Sequence, residues 1–281
     1  MTQTETVTRM SLEERVRPVL YINKIDRLIK ELRLTPEKMQ ETLASVVANF
    51  NELIDTYAEE EYKEKWKVSI QDGSVTFGSA KDRWAINVDI MKKKGVTFKD
   101  VIDAYSDSGK VEDLVEKAPL AEAVLGMVVK HHPPPHVAQK YRIPKIWKGD
   151  LESDLGKSIL NCDDNGPTVM MIVNMTIDPA AGPVAIGRLF SGKIKDGQTI
   201  NIIDSKREGR VQSVNFFMSN VREQVGELSA GNIPALLGLT EARAGQTVST
   251  NKECDVFEAV SYTHLRAHET SLHLVCRLLL E

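Results

Sequence analysis

The sequence predicts a multidomain protein: an α/β region over residues 1–150, then a small antiparallel β-barrel over residues 151–258. Three observations carry this. The short apolar run Val19-Leu20-Tyr21-Ile22 reads as a strand buried on both faces of a parallel sheet. A long apolar stripe at helical spacing follows it, from Met39 to Tyr57. Beyond about Pro167 the period changes to two, with glycine-rich turns between short segments.

Taken in order, residues 5–16 predict a helix ending before Pro18. Thr35-Pro36 opens the long helix, with Thr as N-cap and Pro at the first helical position. Its stripe is Met39, Leu43, Val46, Val47, Phe50, Leu53, Ile54 and Tyr57, and Glu59-Glu60-Glu61 then begins a solvated stretch. Ser74 to Phe77 predicts a second short strand, ending in Gly78-Ser79-Ala80-Lys81. From Trp84 to about Val115 the pattern is mixed and less ordered. Leu120 to Val129 predicts a helix stopped by His131-His132-Pro133-Pro134-Pro135, and Pro144 to Asp150 a connector. Thr168–Ile177, residues 184–191, Thr199–Ile203, Arg210–Phe217 and Ile233–Leu237 read as barrel strands. Asp196-Gly197 signals a tight hairpin.

Composition excludes several classes. Hydrophobic residues make up 42% and charged residues 27% of 281, the balance of a globular chain. The net charge of -4 gives no global basic signature for nucleic acid. Cys162, Cys254 and Cys276 lie far apart without zinc spacing, so no metal site is expected and a reduced, cytoplasmic setting fits. No apolar run approaches the roughly 20 residues of a membrane span. Residues 1–14 are too polar for a signal peptide.

One motif carries chemistry. Asn23-Lys24-Ile25-Asp26 directly follows the predicted parallel strand, and open α/β sheets bind ligands beyond the carboxyl ends of their strands. There, the Asp26 carboxylate can accept from both N1–H and the N2 amino group of guanine. Adenine has no such donor pair, and a mismatch leaves the carboxylate unpaired. The Lys24 stem can lie along the base with its ammonium in water. Asn23 can tie this loop to its neighbours through its amide. Gly78-Ser79-Ala80, also at a strand end, offers a backbone N–H for guanine O6, with small residues admitting a close approach. By chance, Asn-Lys-x-Asp occurs roughly once in several thousand positions, so its place after a strand has weight.

Other candidates are weaker. Gly187 to Ile194 has the glycine and lysine spacing of a P-loop, but Ile194 stands where a Mg²⁺-binding hydroxyl belongs and the setting is strand-like. His131, His132 and His136 are spaced by prolines and read as a rigid, extended, solvated linker. Lys92-Lys93-Lys94 reads as an exposed face, with RNA phosphate contact as the alternative. Trp84 and Trp147 read as packing residues.

The chain resembles the elongation factor 2 family of translational GTPases, of the archaeal type. The resemblance rests on Thr4 to Arg9, on Arg17-Pro18-Val19-Leu20 with Asn23 to Arg27, on Phe77 to Ala80, on Val128 to Arg142, on Lys145 to Glu152, and on Gly182 to Gly192. It covers about residues 1–258. It implies that residues 1–150 are the last part of a P-loop-type GTPase domain with an insertion at about 60–130, and that 151–258 are a translation-factor barrel. It also implies binding of GTP or GDP through Asn23, Lys24, Asp26, Gly78, Ser79 and Ala80, with Mg²⁺ held by parts of the family not matched here. The implied partners are the ribosome, through rRNA and small-subunit proteins, and indirectly the tRNA–mRNA complex. The implied state is monomeric, without membrane contact, and the implied activity is GTP-driven translocation. No P-loop or switch segment precedes Asn23, so the expectation is an internal fragment, hydrolytically inactive alone. The alternatives are a non-catalytic ribosome- or RNA-binding barrel module, and an unrelated α/β metabolic enzyme. Residues 259–281, with Ser261 to Thr270, do not continue the resemblance and read as a translated sequencing adapter, expected to be disordered.

Overall fold

The structure, a computed structural model, describes residues 2–31, 36–105, 110–179, 181–218 and 221–258. The cap expected of Thr35 and the tail 259–281 lie outside the described residues. Two compact units divide between Pro133 and Pro134. The sequence placed this boundary at 150; residues 134–150 instead fold with the second unit.

The first unit runs α1 (Thr2–Glu13), β1 (Leu20–Ile22), α2 (Ile25–Lys30), α3 (Pro36–Tyr57), α4 (Lys63–Trp66), β2 (Val75–Ser79), β3 (Trp84–Ile86), α5 (Val88–Lys94), α6 (Phe98–Ala104), α7 (Val111–Lys117) and α8 (Leu120–His131). β1 pairs in parallel with β2, Leu20 opposite Val75 and Ile22 opposite Phe77. β3 returns antiparallel along the other edge of β2, with Ser79 opposite Trp84. All residues of β2 and β3 are buried. β1 is only half-buried, because it forms an edge of the three strands. Met39, Leu43, Phe50 and Ile54 are the buried line of α3, at steps of four and seven. Val46, on the expected stripe, points outward.

One expectation for this unit is refined and one corrected. The stretch after Glu59 keeps Glu60, Glu61 and Glu64 in water as expected, but it is also anchored: Arg15 grips the Glu59 carboxylate at 2.9–3.1 Å, and Tyr62 stacks on a buried Trp66 at 4.4 Å. The described residues from Trp84 onward, 84–105 and 110–117, hold one strand and three seven-residue helices. Each helix is too short to show a periodic stripe, and side-chain caps define two of the three, α5 and α6. The Asn87 side-chain Oδ1 accepts from Ile90 N–H at 2.9 Å, and Thr97 with Asp100 forms a capping box. Lys93 and Lys94 of the basic run both pair with Glu122.

The second unit runs α9 (Pro135–Ile146), α10 (Asp154–Asn161), β4 (Val169–Asp178), β5 (Gly182–Ser191), β6 (Lys193–Lys195), β7 (Thr199–Ile202), β8 (Arg207–Arg210), β9 (Ser213–Met218), β10 (Val221–Gln224), β11 (Glu227–Ser229), β12 (Ala235–Leu237) and β13 (Thr247–Ser249). Eight strands form an antiparallel, barrel-like sheet in the order β10-β9-β12-β5-β4-β13-β7-β8, while β6 pairs with β11. The period of two sorts β4 onto two cores. Met170 and Ile172 join Leu189, Ile194, Ile200 and Val248 on one face. Val169 and Met171 join Phe190, Ile143, Trp147 and Ile159 on the other. Each fully buried apolar side chain contributes about 1.5–3 kcal/mol.

Three further expectations change here. The extended linker expected from His131 to His136 is confined to His132–Pro134, at the boundary of the units: His131 ends α8, and Pro135 takes the first position of α9, where its fixed φ suits a helix. Pro144 to Asp150 is not a connector. Trp147 is buried, its indole donates to the Asp255 carbonyl at 3.0 Å, and its backbone bridges Phe257. Asp196-Gly197 does make a tight turn, with Gly197 at φ 76°. Its flanking strands, however, do not pair with each other: β6 pairs with β11, and β7 with β8 and β13. The turn is a corner where the chain changes sheets. The P-loop mimic lies in antiparallel strands with Ile194 fully buried, as its alternation implied. Its glycines serve packing. A Cβ at Gly187 would sit 2.2 Å from the Met171 carbonyl oxygen, and one at Gly192 2.6 Å from Thr168 N.

Candidate functional site

The parallel register places the ends of β1 and β2 side by side, because Ile22 lies opposite Phe77. Asn23 and Gly78 are the next residues, so both sequence motifs emerge at one sheet edge. The Asn23 carbonyl oxygen accepts from Ala80 N–H at 2.9 Å and from Lys24 N–H at 2.8 Å. One side-chain oxygen thus joins the two loops across 57 residues of sequence. Tyr21 also directs its hydroxyl to this oxygen, at 3.5 Å.

Lys24 stands in the left-handed region at φ 66° and precedes the first turn of α2. Non-glycine residues rarely hold this conformation, and where they do the surroundings enforce it. Here the Asn23–Lys24 bond and the start of α2 do so, reversing the chain within one residue. Asp26 follows in the first turn of α2 and is buried at 7% exposure. A carboxylate with so little access to water requires partners with N–H groups. Its field also acts on Tyr21: burial first, then the Asp26 charge, pushes the Tyr21 phenol up to about 12.

Gly78 and Ser79 belong to β2 and not to the loop after it. Gly78 is expected to admit a base, and it also meets a steric demand within the sheet: a Cβ there would meet the Trp84 carbonyl oxygen at 2.4 Å and Ala85 Cβ at 2.8 Å. Gly78 is small so that β3 can lie against β2. Ser79 is fully buried, and its Oγ accepts from Asp82 N–H at 3.1 Å, closing the turn that leads from Ala80 to β3. Ala80, at the turn's start, is exposed.

Four residues around this edge escaped the sequence: Tyr21, Lys30, Asp82 and Tyr105. Lys30 had a readable signal, since it lies one helical turn beyond Asp26. Tyr105 had none, because its partners are distant in sequence. Asp72, Asp89 and the buried His131 form a separate set of polar contacts: His131 Nε2 lies 3.1 Å from the Asp72 carbonyl oxygen, and Lys130 pairs with Asp89 at 2.7 Å. Burial, then the charge of Arg17, lowers the His132 imidazole below its ordinary range. Among the described residues, no three His, Cys, Asp or Glu side chains gather in metal-binding geometry. No helix among them is long and apolar enough to cross a membrane.

A parallel strand pair presenting Asn-Lys-x-Asp beside Gly-Ser-Ala, followed in the chain by a barrel-like antiparallel unit, has the architecture of the translation-factor class. Residues 1–134 match the family described as elongation factor Tu GTP binding domain, and residues 182–249 the one described as elongation factor Tu domain 2. Over 262 residues the chain is 79% identical to elongation factor 2 of Cenarchaeum symbiosum, covering 93% of this chain and 36% of that relative. It is 52% identical over 268 residues to elongation factor 2 of Sulfurisphaera tokodaii, and 51% identical over 263 residues to that of Methanocaldococcus jannaschii, with the same coverage. The chain belongs to the elongation factor 2 family, as the resemblance implied, and spans about a third of the length of these relatives (36%).

Proposed function

We propose that this chain supplies the guanine-reading edge and the following barrel of an elongation factor 2. The parent factor uses GTP binding and hydrolysis to move tRNA and mRNA on the ribosome in the cytoplasm. The observation that carries this reading is the bond from Ala80 N–H to the Asn23 carbonyl, which joins the two loops at one strand edge. In the bound state Asp26 accepts from guanine N1–H and N2–H. Ala80 N–H is shared between Asn23 and O6 as a three-centre bond, and the Lys24 stem covers one face of the base. Ser79 fixes the turn through Asp82, and Gly78 lets β3 support it. Mg²⁺ held elsewhere in the parent factor would neutralise charge on the nucleotide's phosphates; none of these six residues would ligate it. The factor acts as a monomer, with rRNA and small-subunit proteins as its contacts and no membrane.

Asp26→Asn tests the reading. An amide offers one donor and one acceptor where the carboxylate offers two acceptors, so preference shifts from guanine toward xanthine. Competition between GDP and xanthosine diphosphate measures this. An unchanged preference in a folded variant would remove Asp26 from base recognition.

A further inference from the structure

We propose that Tyr105 is a positioning residue that holds both guanine-facing loops from the segment between β3 and α8; this rests on the guanine reading above. Tyr105 caps the C-terminus of α6. Its hydroxyl donates to the Asp82 carboxylate and accepts from the Trp84 indole N–H at 2.7 Å. Its one proton and one lone pair are then committed, which leaves a single orientation. Asp82 is the residue whose backbone N–H closes on Ser79 Oγ, two positions after the Ala80 amide that meets Asn23. On the other side, Lys30 Nζ lies 4.6 Å from the centre of the Tyr105 ring. Lys30 ends α2, the helix whose first turn carries Asp26. One side chain thus touches the turn after β2 and the helix after β1.

The support beneath it is rigid. Trp84 is fully buried, and its position is set by the register of β3 on β2. Backbone bonds from Ala85 N–H to the Ala118 carbonyl and from Leu120 N–H to the Arg83 carbonyl hold β3 to the start of α8. Burial, then the bond to Asp82, raises the Tyr105 phenol well above its ordinary value, so the donor persists across the working pH range. A phenylalanine would fill the same space but leave the Asp82 carboxylate and the buried Trp84 indole N–H without this partner.

This arrangement separates two tasks. Asp26 reads N1 and N2, whereas Tyr105 steadies the turn whose Ala80 amide meets O6. Guanine and hypoxanthine share O6, and only guanine has the N2 amino group. Loss of the Tyr105 hydroxyl therefore weakens both bases equally and leaves their ratio intact.

The test uses this chain with Tyr105→Phe. Amide hydrogen exchange is read along the first unit, and binding of GDP and inosine diphosphate is titrated by ligand-observed NMR at millimolar concentrations. The expected result is about tenfold faster exchange confined to residues 80–84, the low end for one lost hydrogen bond to a charged group. GDP and inosine diphosphate should weaken by one common factor, up to about tenfold on the same basis. Unchanged exchange and affinity would overturn the proposal, and so would faster exchange spread over the whole unit or an altered GDP-to-inosine ratio. Asp82→Ala, which removes the acceptor and leaves Tyr105 in place, must reproduce the local pattern; if it does not, the proposal falls even where the phenylalanine variant fails to fold. Should Asp26→Asn leave base preference unchanged, the guanine reading fails on its own, while the exchange pattern still decides the role of Tyr105.

Discussion

Asn23→Ala isolates the junction between the two loops. The substitution removes one oxygen that accepts two backbone N–H groups, from Ala80 at 2.9 Å and Lys24 at 2.8 Å. Neutral hydrogen bonds contribute about 0.5–1.5 kcal/mol each net of water. Both bonds lie at an exposed edge, where water replaces the lost acceptor, so each belongs at the low end and the pair totals about 1–2 kcal/mol. That is a factor of roughly 5 to 30 in the population of the joined arrangement. The loss falls on the site and not on the core, since Asn23 is exposed and packs nothing. Hydrogen exchange at Ala80 and Lys24 is the direct assay, with GDP affinity as the second. Exchange should accelerate by that factor at both amides while the amides of buried β2 stay protected. Wild-type exchange at Ala80 would show that the turn holds without Asn23, and the account of the site would be wrong.

Gly78→Ala should destabilise the first unit by about 1–3 kcal/mol or more, because a Cβ 2.4 Å from the Trp84 carbonyl oxygen forces β3 away from β2. Urea unfolding followed by tryptophan fluorescence measures it; an unchanged midpoint would mean that the two strands part freely. In the second unit, burial first, opposed by a bond to Ser249, pushes the Cys254 thiol up to about 11 from an ordinary value of 9.0. The folded state keeps this proton longer than the unfolded state does. The thiol's contribution is therefore complete below pH 9, declines as the unfolded chain ionises, and is gone above pH 11. The difference in urea midpoint between wild type and Cys254→Ala should shrink across that window, and a constant difference would refute the burial argument.

The parts of the fold legible in the sequence were those with a long period or a local rule. The stripe of α3 needed only Met39, Leu43, Phe50 and Ile54 at helical steps. The strands of the second unit showed their alternation because Met170 and Ile172 face one core while Val169 and Met171 face another. The three short helices from Val88 to Lys117 hid because seven residues make barely two turns. Their caps were readable at Asn87 and at Thr97 with Asp100. Asp196-Gly197 gave the turn but not its use, since pairing partners depend on residues far along the chain. The same limit applied at the site. Asn23, Lys24 and Asp26 announce themselves within four residues, whereas the hold of Tyr105 on Asp82 exists only after folding.

The fastening of Trp147 to the far end of the second unit has a mechanical consequence. Its indole reaches the Asp255 carbonyl, its backbone bridges Phe257, and Phe257 stacks on Phe190 at 4.4 Å. The segment by which the chain enters this unit is clasped to the segment by which it leaves. A pull applied between Trp147 and Phe257 therefore loads this clasp before the strands that lie between them in the chain.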